Sequence, residues 1–318
     1  MKTAIIGAGI NGLYLAWKLA DKGNEVVVFE KKEKIGKQVC SGLFSERILD
    51  FIPHSRKLIR NTINSTLIHF PKKTVNIEFS QNFFVMSHFE LDNLAAGLAR
   101  RAGAKIALNS PVRRMSELAD FDRVIGCFGS DSTIRKSFEN LPKPDYRLAI
   151  QGFHSEKNSS SFVETWPINQ GFIWKIPRGK ETEYGIISGA RHSGEMQKTE
   201  HAFNEFLLKN KISLERTKAA LVPHGFSMPG KSYRITFCGD AIGLTKPWSG
   251  GGVIWGFIAA DLLLKNFSDF LKYRKEARKF FLPKIIFSEI ITRLVYFFYY
   301  NAPRLLPKKF KIDGDFVF

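Results

Sequence analysis

Cys40 and Gly42 sit in the run QVCSGLF, which begins eight residues after Glu30. A thiol can donate a proton, attack an electrophile or be oxidised, and local charge decides which. The same thiol can equally be a small buried core residue. Upstream, GAGING sets Gly7, Gly9 and Gly12 in GxGxxG spacing. The first glycine permits a tight turn, the second lets the backbone approach a pyrophosphate, and the third lets helix and strand pack closely. A helix starting there offers amide N–H groups and the positive end of its dipole to phosphate. Glu30 ends the next apolar run, EVVVFE. A carboxylate there accepts ribose hydroxyls and disfavours a 2′-phosphate, so the set points to a dinucleotide.

A second glycine cluster lies far along the chain, in FCGDAIGLTKPWSGGG from Phe237. Asp240 follows a buried strand and is placed to accept a ribityl hydroxyl, which argues for FAD. The plainer alternative is an N-cap or turn residue. Gly250, Gly251 and Gly252 open a helix whose amides could face negative charge on a reduced flavin ring. Trp248 and Trp255 flank that start, and Trp248 is the better site candidate. The three cysteines, Cys40, Cys127 and Cys238, are widely spaced without CxxC, and the seven histidines show no HxxxH. Neither a disulfide framework nor a metal site is expected, and a reducing compartment is. No GxSxG occurs.

Positioning these residues requires a βαβ unit. Thr3–Ile6 reads as a buried parallel strand, Asn11–Asp21 as a helix stopped by Gly23, and Glu25–Glu30 as the next strand. Glu90–Gly103, Lys105–Leu108, Asp122–Cys127, Ile235–Cys238 and Gly251–Lys265 continue this βα pattern. Between them, residues 56–84 and the stretch Arg147–Arg191 alternate as antiparallel strands do. The expected fold is α/β: a discontinuous Rossmann-type FAD-binding domain (about 1–55, 85–145 and 215–265) interleaved with an antiparallel-sheet substrate domain (56–84 and 146–214). A helical tail, 266–318, follows.

In that tail, Lys284, Ser288, Thr292, Tyr296 and Tyr300 recur every four residues on an otherwise apolar helix. The apolar runs are too short to span a bilayer. An interfacial helix beside basic residues, or a helix packed on the body, are the two readings. The formal net charge of +18 favours anionic partners. The basic residues are scattered and carry no nucleic-acid motif, so nucleic acid is not expected. The chain opens on an apolar strand running straight into a glycine turn, with no signal-peptide pattern.

GAGING with Glu30, together with GDAIGLTKPWSGGG, resembles the flavoprotein group that contains aromatic hydroxylases and geranylgeranyl reductases. Two further runs resemble the reductase branch. VCSGLF matches its cysteine-glycine loop, and GFIWKIPRG (Gly171–Gly179) matches its YxWxFP motif at Phe172, Trp174, Ile176 and Pro177. The resemblance covers roughly residues 1–265. It implies a loop lying against the flavin, with Cys40 as a proton donor and Gly42 beside the substrate. Phe172 and Trp174 would line an apolar tunnel for a polyprenyl chain; ordinary sheet core is the alternative for each. There are departures. FGSDSTIR places Phe128 where relatives carry an acid, while Gly129, Ser132 and Arg135 remain. His88 stands in place of an arginine, Ser41 of a glycine and Phe172 of a tyrosine.

The resemblance implies an FAD-dependent reductase that saturates C=C bonds of isoprenoid lipids of archaeal-type membranes. NAD(P)H or a carrier protein such as ferredoxin would reduce the flavin. The expected location is cytoplasmic, with peripheral contact to the inner face of an anionic membrane. The alternatives are a flavin monooxygenase of the same superfamily and a non-catalytic flavin- or lipid-binding protein.

Overall fold

The computed structural model describes residues 1–37, 39–129, 134–135, 144–168, 170–190, 192–302 and 308–315. In chain order the elements are β1 (Lys2–Ile6), α1 (Ile10–Asp21), β2 (Glu25–Phe29), β3 (Leu43–Ser45), α2 (Ile48–Phe51), β4 (Asn61–Phe70), β5 (Lys73–Val85) and α3 (His88–Arg101). They continue as β6 (Lys105–Ala107), β7 (Arg123–Gly126), β8 (Asp145–His154), β9 (Phe162–Ile168), β10 (Gly171–Pro177), β11 (Thr182–Gly189) and α4 (Ser193–Lys209). Last come β12 (Glu215–His224), β13 (Ile235–Phe237), α5 (Val253–Lys265), α6 (Phe270–Asn301) and β14 (Lys309–Ile312).

The chain divides into two compact units. Unit 1 is Met1–Lys37, His88–Asp145 and Pro223–Ile285; unit 2 is Gln38–Ser87, Tyr146–Val222 and Ile286–Phe318. Unit 1 holds a five-stranded parallel sheet in the order β13-β7-β1-β2-β6. Its central strands are apolar on both faces because both faces are covered: Ala4, Ile5, Val28, Val124 and Ile125 are fully buried. The first half of α6 belongs here. Phe270, Tyr273, Ala277 and Phe281, spaced for one helix face, are buried, and the Tyr273 hydroxyl donates to the Phe237 carbonyl at 3.1 Å.

Unit 2 holds a nine-stranded sheet in the order β12-β8-β11-β10-β9-β4-β5-β14, with β3 also on β5. The pairs β8–β11, β10–β11, β9–β10, β4–β5 and β3–β5 are antiparallel, while β4–β9 and β5–β14 are parallel. Alternation sorts the side chains onto two faces. Leu148, Ile150, Ile173, Tyr184 and Ile186 pack with Phe203 of α4. Ile63, Val85, Ala149, Trp174, Ile176 and Ile187 form the other cluster.

Two features differ from the sequence reading. The cysteine loop, read into the first FAD-binding segment (1–55), falls in unit 2, because β3 directly after it pairs with β5. The tail is not helical throughout. It ends in β14, and Asp313 and Asp315 beyond it pair with Arg47 at 2.8 and 3.1 Å. Arg47 lies just after β3, so the end of the chain anchors the strand that follows Cys40.

The second half of α6, within unit 2, is turned the opposite way from an ordinary surface helix. Ser288 of the polar stripe is buried, and Tyr296 and Tyr300 pack edge-on against Phe70 at 6.1 and 5.9 Å. Ile286, Phe287, Ile290, Leu294 and Phe297 are each 46–59% exposed. Among the described residues no helix is long and apolar enough to cross a membrane.

Candidate functional site

Unit 1 gathers the predicted cofactor residues. Gly7 has φ +106°, and a Cβ there would lie 2.5 Å from the Cys127 carbonyl oxygen. A Cβ on Gly12 would run into the Gly7 carbonyl and come within 3.2 Å of the Cys127 Cβ. Gly9, by contrast, opens on free space and starts α1 with no side-chain cap. Two glycines thus serve packing and the middle one leaves room for a ligand's approach. Glu30 accepts the Ala8 N–H at 2.7 Å and the Lys32 N–H at 3.0 Å. A carboxylate has about four lone-pair sites, so acceptor capacity remains for ribose hydroxyls.

Asp240 follows Gly239, whose φ of +68° and contact with the Asn11 amide leave no room for a side chain. Asn11 is buried against Gly239 and Gly256, and its Oδ1 has no hydrogen-bond partner. Lys37 Nζ lies 3.3 Å from Asp240 Oδ2, and the Lys37 amide donates to Asp92 at 2.8 Å. Asp92 in turn pairs with buried His88 at 3.3 Å. A Cβ on Gly252 would lie 3.1 Å from Asp240 Oδ1, so acid and helix start are in contact. Two of the three amides offered by the glycine run are already used: Gly250 donates to the Lys246 carbonyl at 2.9 Å and Gly251 to Ser249 Oγ at 3.3 Å. Gly252 is the N-cap of α5 and has no side-chain cap of its own. The cradle of small residues, the two carboxylates and the unpartnered Asn11 oxygen fit an FAD. The glycine turn would hold its pyrophosphate, Glu30 its ribose and Asp240 its ribityl chain.

Trp248 is half-buried, edge-on to the fully buried Trp255 at 5.9 Å. Phe128 packs edge-on against Phe237 at 5.1 Å, with the Arg135 guanidinium 5.5 Å from its ring centre. Ser132 lies outside the described residues. Cys127 and Cys238 are core residues, and burial pushes both thiols up, Cys238 to about 12. Among the described residues no group of side chains could hold a metal ion.

Unit 2 carries the thiol. Cys40 is half-buried. Gly42 has φ +62°, its carbonyl accepts the Met86 N–H at 2.9 Å, and any side chain there would strike the Met86 carbonyl. The loop is held by a residue that sequence reading passed over. Arg178 is 7% exposed, and its Nη1 donates both to the Ser41 carbonyl and to Glu183 Oε2, each at 2.7 Å. Glu183 is wholly buried, and its other oxygen accepts the Trp174 indole N–H at 3.0 Å. Burial pushes the Glu183 carboxyl up to about 8. Arg178 and the indole pull it down, and Cys40 adds to the rise.

The two tunnel candidates are therefore placed as follows. Trp174 lies over Gly185, which has no side chain to obstruct it, with its N–H engaged by Glu183. Phe172 packs against the same cluster, 6.0 Å from the Trp174 ring. A signal for Glu183 existed. It shares strand parity with Gly185 and Ile187, so TEYGIISG places an acid on an apolar face. Arg178 lies directly after the WKIP run, where a cation can answer that acid. Lys37 and Asn11 carried no signal beyond proximity to the glycine motifs.

This two-unit fold, with its glycine cradle, is the fold of the FAD-dependent oxidoreductases. A family model described as an NAD(P)-binding Rossmann-like domain matches residues 5–55. The chain is similar to archaeal lipid reductases: it is 24% identical over 304 residues to the digeranylgeranylglycerophospholipid reductase of Methanothrix thermoacetophila, covering 81% of this chain and 76% of that one. Among solved structures it is similar to a geranylgeranyl bacteriochlorophyll reductase-like protein from Thermoplasma acidophilum, with a TM-score of 0.74, 19% identity, and 87% and 83% of the two chains covered. A myxobacterial chondrochloren halogenase, an FAD-dependent enzyme, shares the fold with a TM-score of 0.73 at 12% identity, covering 90% of this chain and 81% of that one.

Proposed function

We propose that this chain is an FAD-dependent reductase that saturates C=C bonds in geranylgeranyl-type chains of archaeal-type membrane lipids. The carrying observation is the cysteine loop of unit 2, fixed by a buried arginine through the Ser41 carbonyl. Similarity to a named lipid reductase along most of the chain supports the same reading.

Saturating an unactivated alkene needs a hydride on one carbon and a proton on its neighbour. Bound and reduced, FAD supplies the hydride. The protein's own part is to hold the cofactor, exclude water and present a proton. Cys40 is the proton donor: a thiol is a workable general acid near neutral pH, and Arg178 holds its loop through the Ser41 carbonyl. Gly42 keeps that loop tight beside the substrate. Phe172 and Trp174 of unit 2 are the proposed apolar lining for a polyprenyl chain, and Trp248 of unit 1 is a separate candidate contact. The electron donor is NAD(P)H or a carrier protein such as ferredoxin. Phe128 supplies no carboxylate toward a pyridine nucleotide, which favours the carrier.

The exposed apolar face of α6 is the proposed contact with an anionic membrane, where such a substrate resides. Ile286, Phe287, Ile290, Leu294 and Phe297 would enter the headgroup boundary. A net charge of +18 would draw the protein there.

The test is direct. The protein is reduced anaerobically with dithionite, mixed with a geranylgeranylated glycerolipid, and followed by flavin absorbance and lipid mass spectrometry. Flavin reoxidation with two hydrogens gained per double bond is expected. Unchanged lipid beside a stably reduced flavin overturns the reading. Oxygen incorporated only when air is admitted would instead mark a monooxygenase.

A further inference from the structure

Two of the three glycines before α5 use their amides inside the turn, so a reduced flavin there would find few backbone donors. A second source of positive charge lies in the same turn of unit 1. Lys246 is 6% exposed. Lysine is among the residue types least often buried, because its ammonium is costly to take out of water. Its backbone is tied to the glycines twice: the N–H donates to the Gly251 carbonyl at 3.0 Å, and the carbonyl accepts the Gly250 N–H at 2.9 Å. The side chain packs on the same turn. A Cβ built on Gly251 would lie 3.3 Å from Lys246 Cε and 3.8 Å from Nζ, and Nζ stands 5.7 Å from the centre of the Trp248 ring. Gly251 has no side chain to displace the lysine and is itself exposed.

We propose that Lys246 is the fixed positive charge for the reduced flavin, and that it sets how readily the flavin accepts electrons. This rests on the FAD reading and deepens it. Two-electron reduction leaves negative charge on the pyrimidine side of the flavin ring, at N1 and the C2 carbonyl, whereas the oxidised ring is neutral. A cation held there favours the reduced form alone and raises the potential. The ribityl chain assigned to Asp240 ends at that ring. Asp240 touches Gly252, one residue from the glycine on which Lys246 packs.

The surroundings favour Lys246 over the other cation nearby. Lys37 reaches Asp240 at 3.3 Å, but its side chain is 44% exposed, so that carboxylate and solvent both offset its charge. The same charge on buried Lys246 acts through a lower dielectric and carries further. Its contact with the Trp248 ring steadies the ammonium without neutralising it. The two backbone bonds to the glycine run fix where the side chain starts, so the charge is in place before reduction begins.

The test needs no lipid. Lys246→Met keeps an unbranched side chain and removes the charge. Oxidised FAD, titrated by fluorescence, should bind within about twofold of wild type, while reduced FAD should bind roughly 10- to 150-fold more weakly. For a two-electron couple that lowers the potential by about 30 to 65 mV, read against a reference dye during anaerobic reduction. A merely structural lysine would weaken both forms alike and leave the potential unmoved, and that result overturns the proposal. Should the methionine variant not accumulate, sulfite decides on the wild type. Its sulfur lone pair adds to flavin N5 and pushes negative charge onto N1, as reduction does, so the flavin colour should bleach; a colour that persists overturns the proposal. A wild type that binds no flavin overturns both this role and the FAD reading. If lipid is left unchanged yet the potential shifts as stated, the substrate assignment fails while the role of Lys246 stands.

Discussion

Glu183→Gln carries a prediction about folding. In the folded chain the carboxyl is pushed up to about 8, against an ordinary value of 4.5. A group raised in this way keeps its proton when folded and releases it on unfolding. The folded state therefore binds more protons, and stability falls as pH rises between the two values. The stabilisation is fully present below the unfolded value and is lost by the folded one. A separation of about 3.5 units corresponds to roughly 5 kcal/mol in all, or about 1.4 kcal/mol per pH unit within the window. Glutamine cannot ionise, and its one oxygen keeps an acceptor for either the indole or Arg178, leaving its NH2 against the other donor. Its cost, an arginine left without an anion, is the same at every pH in this range. Urea unfolding followed by tryptophan fluorescence at about pH 5, 6, 7 and 8 measures the difference between the two proteins. Other titrating groups are common to both and cancel. Wild type should lose about 4 kcal/mol relative to the variant across that range. A difference constant to within about 0.5 kcal/mol would show that Glu183 is ionised throughout, and the reasoning about its burial would fall.

Further outcomes concern the cofactor and the tail. Gly12→Ala places a methyl against the Gly7 carbonyl and the Cys127 side chain, so the protein should fold but purify without flavin absorbance; a normal flavin content refutes the packing argument. Asp240→Ala removes a charged acceptor and should weaken FAD about 10- to 150-fold, read by fluorescence titration; an unchanged affinity removes Asp240 from the site. Leu294→Glu with Phe297→Glu should abolish sedimentation with phosphatidylglycerol vesicles while leaving circular dichroism unchanged. Point substitutions are required here. Deleting the tail from Lys265 onward would strip Phe270, Tyr273 and Phe281 from the core of unit 1.

The βαβ unit was legible because its signals are local. A strand, three glycines, a helix and an acid at the next strand's end follow one another within Thr3–Glu30. The interleaving was legible too, since apolar runs and alternating runs differ in period. The ion pair at Arg178 and Glu183 was harder. It depends on an acid whose strand parity turns it inward, and parity is lost to the eye when the strand's other face is also apolar. The orientation of α6 was not legible. Its polar stripe fits an interfacial helix and a packed one alike; in the fold Ser288 is buried and Tyr296 packs on Phe70, which lies more than two hundred residues upstream. The place of the cysteine loop in unit 2 likewise follows from a strand pairing rather than from anything in VCSGLF.

The three thiols of this chain live in different worlds, and that has a practical result. Cys127 and Cys238 are sealed in the core with their thiols held protonated, so oxidants have no route to them. Cys40 is half-exposed. Reduced flavins make hydrogen peroxide in air, and peroxide carries an accessible thiol to sulfenic acid and then irreversibly further. On the proposed role of Cys40, a preparation aged in air would keep its fold and its other two thiols and would lose alkene reduction at a single sulfur.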